Sequence, residues 1–261
     1  MSTHRLAGGV GIAVRRDRVL VGVWLVVLLG LVLASATATD GLYPTLADRV
    51  AAAEAIDRNG ALVALYGPIV DVRSLGELAM TKLTVLYAVA VAALVLVVVR
   101  RHTRAEEDAG RTELLAATLL DRRTLLDAAM VWGAAVALAA GAVAALGSIA
   151  GGLPALGSLA FGASWAGIGL WSVGLSALAA QLAATARSAA GLVLGVLGVS
   201  YALRALADVD DTWHALGWIS PFGWATRLHA WSDPRWWVLL LDRKSTRLNS
   251  SHRCISYAVF C

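Results

Sequence analysis

Both cysteines, Cys254 and Cys261, fall at the end of the chain, and the five histidines (His4, His102, His214, His229 and His252) are scattered. Metal sites built from thiolates or imidazoles need ligands at short, repeated spacings, and neither a C-x-x-C nor an H-E-x-x-H pair occurs. Each histidine reads as an interfacial or loop residue. No G-x-x-x-x-G-K-[ST] stretch is present, so the chain has no P-loop for ATP and is expected to carry no cofactor or metal. What remains is one dense charged stretch, Arg100–Arg123, between two apolar runs. Arg100, Arg101, Arg104, Arg111, Arg122 and Arg123 are interleaved there with Glu106, Glu107, Asp108, Glu113 and Asp121. Glu107 and Arg111 are four apart with the acid first, the better order for a helical pair. Leu115 and Leu119, with Leu114 beside them, give the same segment an apolar side. The pattern predicts a helix from Glu106 to Leu120, about four turns long. Two readings fit: a solvated loop whose arginines fix membrane topology, or a surface helix that docks on a soluble partner.

The elements around this stretch are set by hydrophobicity. Of the 261 residues 59% are hydrophobic and only 15% are charged, with mean hydropathy +0.71. A soluble domain carries about 25% charged residues; the surplus apolar surface here calls for a lipid bilayer. The net charge of +4 does not point to nucleic acid, because the arginines cluster beside apolar runs, where they set orientation. The predicted fold class is therefore all-α, a polytopic transmembrane helical bundle. Spans are predicted at about 19–39, 83–99, 126–146, 158–183 and 189–206, with the start of a sixth at 236. Leu6 to Val14 reads as a short interfacial helix before the first span. Basic residues 5–18 and 100–123 place the N-terminus in the cytoplasm and the acid-rich loop 40–79 outside.

Within that topology several features stand out. Asp48 to Asn59 reads as a helix ending at Gly60. Gly191 and Gly195 have the spacing that lets two helices approach closely. Arg204, near the outer end of the fifth span, reads as a side chain snorkelling to the surface, with a substrate or gating contact as the alternative. The spans so drawn hold no buried acid suited to a proton relay and no cluster suited to a membrane-embedded enzyme. Trp213, Trp218, Trp224 and Trp231, with Trp236 and Trp237, form an aromatic belt. From Asp242 the composition changes, and the six apolar residues before it, from Trp236, are too few to cross a bilayer.

Glu106-Glu107, Gly110-Arg111 and Glu113-Leu114-Leu115, ending at Arg122, resemble the first cytoplasmic loop of bacterial ABC-2 type exporter permeases, in particular the actinobacterial polyketide-antibiotic and multidrug exporter group. Ser220-Pro221-Phe222-Gly223-Trp224, followed by Arg227 and Trp237-x-Leu239, gives a second resemblance to the same group. The resemblance implies a plasma-membrane permease domain over residues 1–241, driven by a separate ABC ATPase subunit that binds the ATP. It makes Glu106, Glu107, Gly110, Arg111, Glu113, Leu114 and Leu115 the ATPase-coupling surface. It makes Ser220, Pro221, Phe222, Gly223 and Trp224 a re-entrant segment at the extracellular gate. It further implies an amphiphilic, antibiotic-like substrate and a first permease half that is completed by a second half or by a second copy. Residues 242–261 resemble a spurious, non-native ending. A proton-coupled secondary transporter is the alternative.

Overall fold

The computed structural model describes residues 3–103 and 122–239. Residues 104–121, which hold all the expected coupling residues from Glu106 to Leu115, lie outside the described residues, as does the tail 242–261. Helix α1 spans Thr3–Leu42, α2 Leu46–Asp57, α3 Gly60–Tyr66 and α4 Leu75–Arg101. Helices α5 (Arg122–Ala150), α6 (Ala155–Leu182) and α7 (Ala186–Val209) follow. A 3₁₀ helix over Asp211–Trp218, α8 over Pro221–Arg227 and a 3₁₀ turn over Trp236–Val238 complete the order. No strand occurs among the described residues. Five helices, α1 and α4 to α7, are long and apolar enough to cross a membrane.

Boundaries moved for local reasons. The N-terminal interfacial helix and the first span are one helix of 40 residues. It contains no proline, and Gly9 packs on α5, where a Cβ would lie 3.0 Å from the Ala128 Cβ. At 1.5 Å per residue it is about 60 Å long, twice a bilayer core. The helix expected to stop at Gly60 is α2, which ends at Asp57, and a second helix, α3, starts at Gly60. Thr45 caps α2 through a reciprocal box with Asp48. Asn59 then caps α3, its side chain accepting from the Ala61 and Leu62 N–H groups, so this Asn-Gly is a start as well as a stop. Helix α4 begins at Leu75, eight residues earlier than expected, because Ser74 caps it through the Glu77 N–H.

That early start brings Glu77 into the apolar bundle, and α7, running on to Val209, brings in Asp208. Glu77 is buried, and so is the Asp208 side chain. The expectation of spans without buried acids is therefore corrected.

Helix α4 is the core of the bundle, buried from Gly76 to Val99 on most of its surface. Serine hydroxyls fasten its neighbours to it: Ser35 Oγ donates to Ala79 O (2.7 Å) and Ser172 Oγ to Ala92 O (2.9 Å). Such interhelical bonds replace the missing solvent in lipid. Helices α5 and α6 cross closest at Gly141 and Gly162. A Cβ on Gly141 would sit 2.5 Å from Gly162 O, and one on Gly162 2.3 Å from Gly141 O. The expected close approach at Gly191 and Gly195 is absent within this chain. Neither meets anything within 4 Å, nor does Gly198, and all three lie on the exposed side of α7. The buried side of α7 is Ala189, Val193, Leu197, Ser200, Arg204 and Ala207, one stripe at helical period.

Candidate functional site at the two ends of the bundle

The bundle has a basic end, where α1 begins and α4 finishes, and a loop end that carries α2, α3 and residues 210–239. At the basic end Asp17 is fully buried. Its carboxylate meets Arg101 Nε at 3.1 Å and His102 Nε2 at 2.7 Å. The arginine contact is an ion pair without hydrogen-bond alignment, since Arg101 Nε and Asp17 Oδ1 have no such partner. His102, read as a loop residue, is thus a partly buried partner of α1. Arg100 and Arg101 also occupy the last turn of α4, where cations suit the helix dipole. This junction ties α1 to α4 immediately before the charged stretch 104–121.

At the loop end Ser220-Pro221-Phe222-Gly223-Trp224 turns the chain back into the bundle as the first part of α8. Proline at the first helical position leaves no N–H orphaned. Ser220 caps the helix through the Gly223 N–H and donates its Oγ to Ser200 O at 2.6 Å. Phe222 is fully buried, edge-on to Tyr201 with ring centroids 6.3 Å apart. Gly223 is required by space: a Cβ there would stand 2.1 Å from Gly217 O. Trp224 Nε1 donates to Trp218 O at 2.8 Å. Irregular backbone near a membrane must be packed in protein or line a cavity, and this segment is packed on α4, α6 and α7.

Arg204 does not snorkel. Its guanidinium is fully buried and points across to the C-terminus of α3. It donates to Val63 O (3.5 Å), Ala64 O (2.9 Å) and Leu65 O (3.3 Å). Those carbonyls end α3; Val63 O also accepts the Gly67 N–H (2.8 Å) and Leu65 O the Tyr201 hydroxyl (2.7 Å). It also pairs with Asp208 at 3.3 Å and lies 4.6 Å above the Tyr201 ring. Asp208 in turn reaches Arg227 Nη1 at 3.7 Å. Arg227 donates to Gly223 O (3.3 Å) and His214 O (2.8 Å) and stands over Trp218. Burial pushes the Arg227 guanidinium below its ordinary value, and Asp208 pulls it back. One buried carboxylate therefore fastens α3, α7 and α8 together. The sequence carried a signal for it, the Arg204–Asp208 spacing of four. Asp17 had none, since its partners Arg101 and His102 lie far along the chain. Among the described residues no group of three or more His, Cys, Asp or Glu side chains could hold a metal.

The architecture is that of a multi-pass, all-helical membrane protein. Comparison with known proteins narrows it. Residues 6–241 match the family described as "Multidrug efflux system permease Rv1217c, C-terminal domain". The chain is also 37% identical, over 247 residues, to the multidrug efflux system permease protein Rv1217c of Mycobacterium tuberculosis (strain ATCC 25618 / H37Rv). That alignment covers 92% of this chain and 44% of the relative. The chain belongs to this family of ABC-2 type exporter permeases. The matched family is described as a C-terminal domain, whereas the resemblance read from the sequence implied a first half.

Proposed function

We propose that this chain forms a membrane-spanning part of an ABC exporter, moving an amphiphilic, drug-like compound out across the plasma membrane. ATP hydrolysis belongs to a separate ATPase subunit, so the chain itself is not an enzyme. The observation that carries this reading is the family match over residues 6–241. The N-terminus and the basic end face the cytoplasm, by the distribution of arginines. The stretch from Glu106 to Leu120 docks on the ATPase, with Glu106, Glu107, Gly110, Arg111, Glu113, Leu114 and Leu115 at the contact. The junction of Asp17 with Arg101 and His102 supports this by fixing where the stretch leaves α4. Ser220 to Trp224 forms the outer gate. The exposed glycine side of α7 suits a tightly packed partner helix, from a second permease half or a second copy.

The test reverses one charge. A charge truncated at a desolvated interface costs about 2–5 kcal/mol, and a solvated loop charge about 0.5 kcal/mol or less. Glu113→Arg should uncouple transport from ATP hydrolysis in liposomes holding the full permease and its cognate ATPase. Glu54→Arg in α2, whose partner is an exposed Arg58, is the control and should behave as wild type. Wild-type coupling in Glu113→Arg would remove the docking assignment. The buried acids Glu77 and Asp208 favour a second reading, a proton-coupled carrier. Transport abolished by a protonophore and indifferent to ATP would select it.

A further inference from the structure

A small cavity of about 20 Å³ opens at the loop end between α4 and the segment after α8. Its polar lining is Tyr66, Glu77, Thr81, Thr84, Thr226 and His229, with Trp231 among the other walls. Glu77 is 7% exposed. The charge acting on it is that of another acid, Asp71. Among the described residues it takes part in no ion pair, unlike Asp17 and Asp208. A carboxylate withdrawn from water without a counter-charge is costly.

A hydroxyl has one O–H, and those of the three threonines are already engaged. Thr81 Oγ1 donates to Glu77 O, Thr84 Oγ1 to Met80 O (2.9 Å) and Thr226 Oγ1 to Gly223 O (3.1 Å). What remains free on these oxygens is lone pairs. His229 is held at φ 52, in the left-handed region. Burial, reinforced by Arg235 and Arg227, keeps its imidazole below the ordinary range, so near neutral pH it brings no competing positive charge.

We propose that this cavity binds a primary ammonium group, with Glu77 as its counter-ion and the threonine oxygens as hydrogen-bond acceptors. An ammonium has the size of a water molecule, for which a cavity needs about 10–15 Å³, and its three N–H donors match the Glu77 carboxylate and the threonine oxygens. A quaternary ammonium has no N–H and is too large. The group has two sources, a free amphiphilic amine or the headgroup of an aminophospholipid. The site needs only the fold, and it stands whether ATP or a proton gradient drives transport.

The test is calorimetric titration of the full chain in phosphatidylcholine nanodiscs with octylammonium and octyltrimethylammonium, empty discs subtracted. Octylammonium should bind saturably and at least tenfold more tightly than the quaternary probe. Glu77→Gln, which keeps shape and removes charge, should weaken octylammonium at least tenfold, and Thr84→Val severalfold. Phosphatidylethanolamine in the disc should compete if the headgroup is the natural occupant and leave binding unchanged if a free amine is. Equal binding of the two probes by wild type overturns the proposal, and so does undiminished octylammonium binding by a folded Glu77→Gln. If Glu77→Gln loses its thermal transition, the probe comparison and Thr84→Val decide alone.

Discussion

Replacing Arg204 by methionine removes a charge from the centre of the loop end while keeping much of its volume. Asp208 then keeps only Arg227, at 3.7 Å. Ala64 O loses a 2.9 Å donor, whereas Leu65 O retains the Tyr201 hydroxyl at 2.7 Å. Breaking a buried pair costs about 3–5 kcal/mol, and an orphaned acceptor about 1–3 kcal/mol. The two terms share Arg204 and do not add fully, so the expected loss is about 3–5 kcal/mol. Much of it comes from the surviving carboxylate. The double variant Arg204→Met with Asp208→Asn should therefore be more stable than Arg204→Met alone, by about 1–3 kcal/mol. Arg204→Lys should fall between wild type and Arg204→Met, because an ammonium keeps the ion pair but lacks the fork that reaches three carbonyls. Equilibrium unfolding in mixed micelles, followed by tryptophan fluorescence, measures all four. A loss below about 0.5 kcal/mol in Arg204→Met would be that of a surface arginine and would refute the buried network. A double variant no more stable than Arg204→Met would refute the role of the stranded charge.

The glycines make a paired prediction. Gly141→Ala should destabilise by about 1–3 kcal/mol, because its Cβ meets backbone at 2.5 Å, while Gly191→Ala, with open space around it, should leave the isolated chain unharmed and weaken assembly with a partner half; thermal unfolding and co-purification read the two. Single cysteines at Ala51 and Ala184, both exposed and at opposite ends of the bundle, should label from opposite sides of intact cells, and same-side labelling would overturn the topology. His229 titrates in the unfolded chain near 6.5 and lower when folded. Its native state binds fewer protons, so its contribution to stability is complete above about pH 6.5 and declines as pH falls below it. A pH series of melting curves should show that slope, and His229→Gln should flatten it.

The five spans were legible because an apolar run long enough for a bilayer has few alternatives. Their ends were less so, since caps decide them. Lys82 and Glu77 look like reasons to start α4 late, yet Lys82 is exposed while Glu77 is buried, and the Ser74 hydroxyl fixes the start. Asn59-Gly60 looks like a helix stop, and the same Asn59 begins the next helix. Ser220 and Pro221 are residue types that start a helix, and α8 begins there. The roles of Arg204, Asp208 and Asp17 were not legible, because each depends on which distant carbonyl or cation the fold delivers. Arg204 in an outer turn fits a snorkelling side chain until the end of α3 arrives beside it with the carbonyls of Val63, Ala64 and Leu65.

The two polar junctions share a construction. Each centres on one carboxylate, at Asp17 and at Asp208, and each joins helices far apart in sequence. Hydrophobic burial alone discriminates poorly among helix arrangements in a membrane, because lipid tails are as apolar as leucine. A buried charge behaves differently: displaced from its partner, it loses several kcal/mol. The junctions therefore fix the register of α1 on α4 at one end and of α3, α7 and α8 at the other. Serine hydroxyls on α1 and α6 and glycine contacts between α5 and α6 set the spacing in between. Glu77 breaks the pattern, as a buried carboxylate facing a small cavity and paired with no cation among the described residues. In a fold that pairs its other buried carboxylates, that vacancy of charge is better explained by a ligand than by packing.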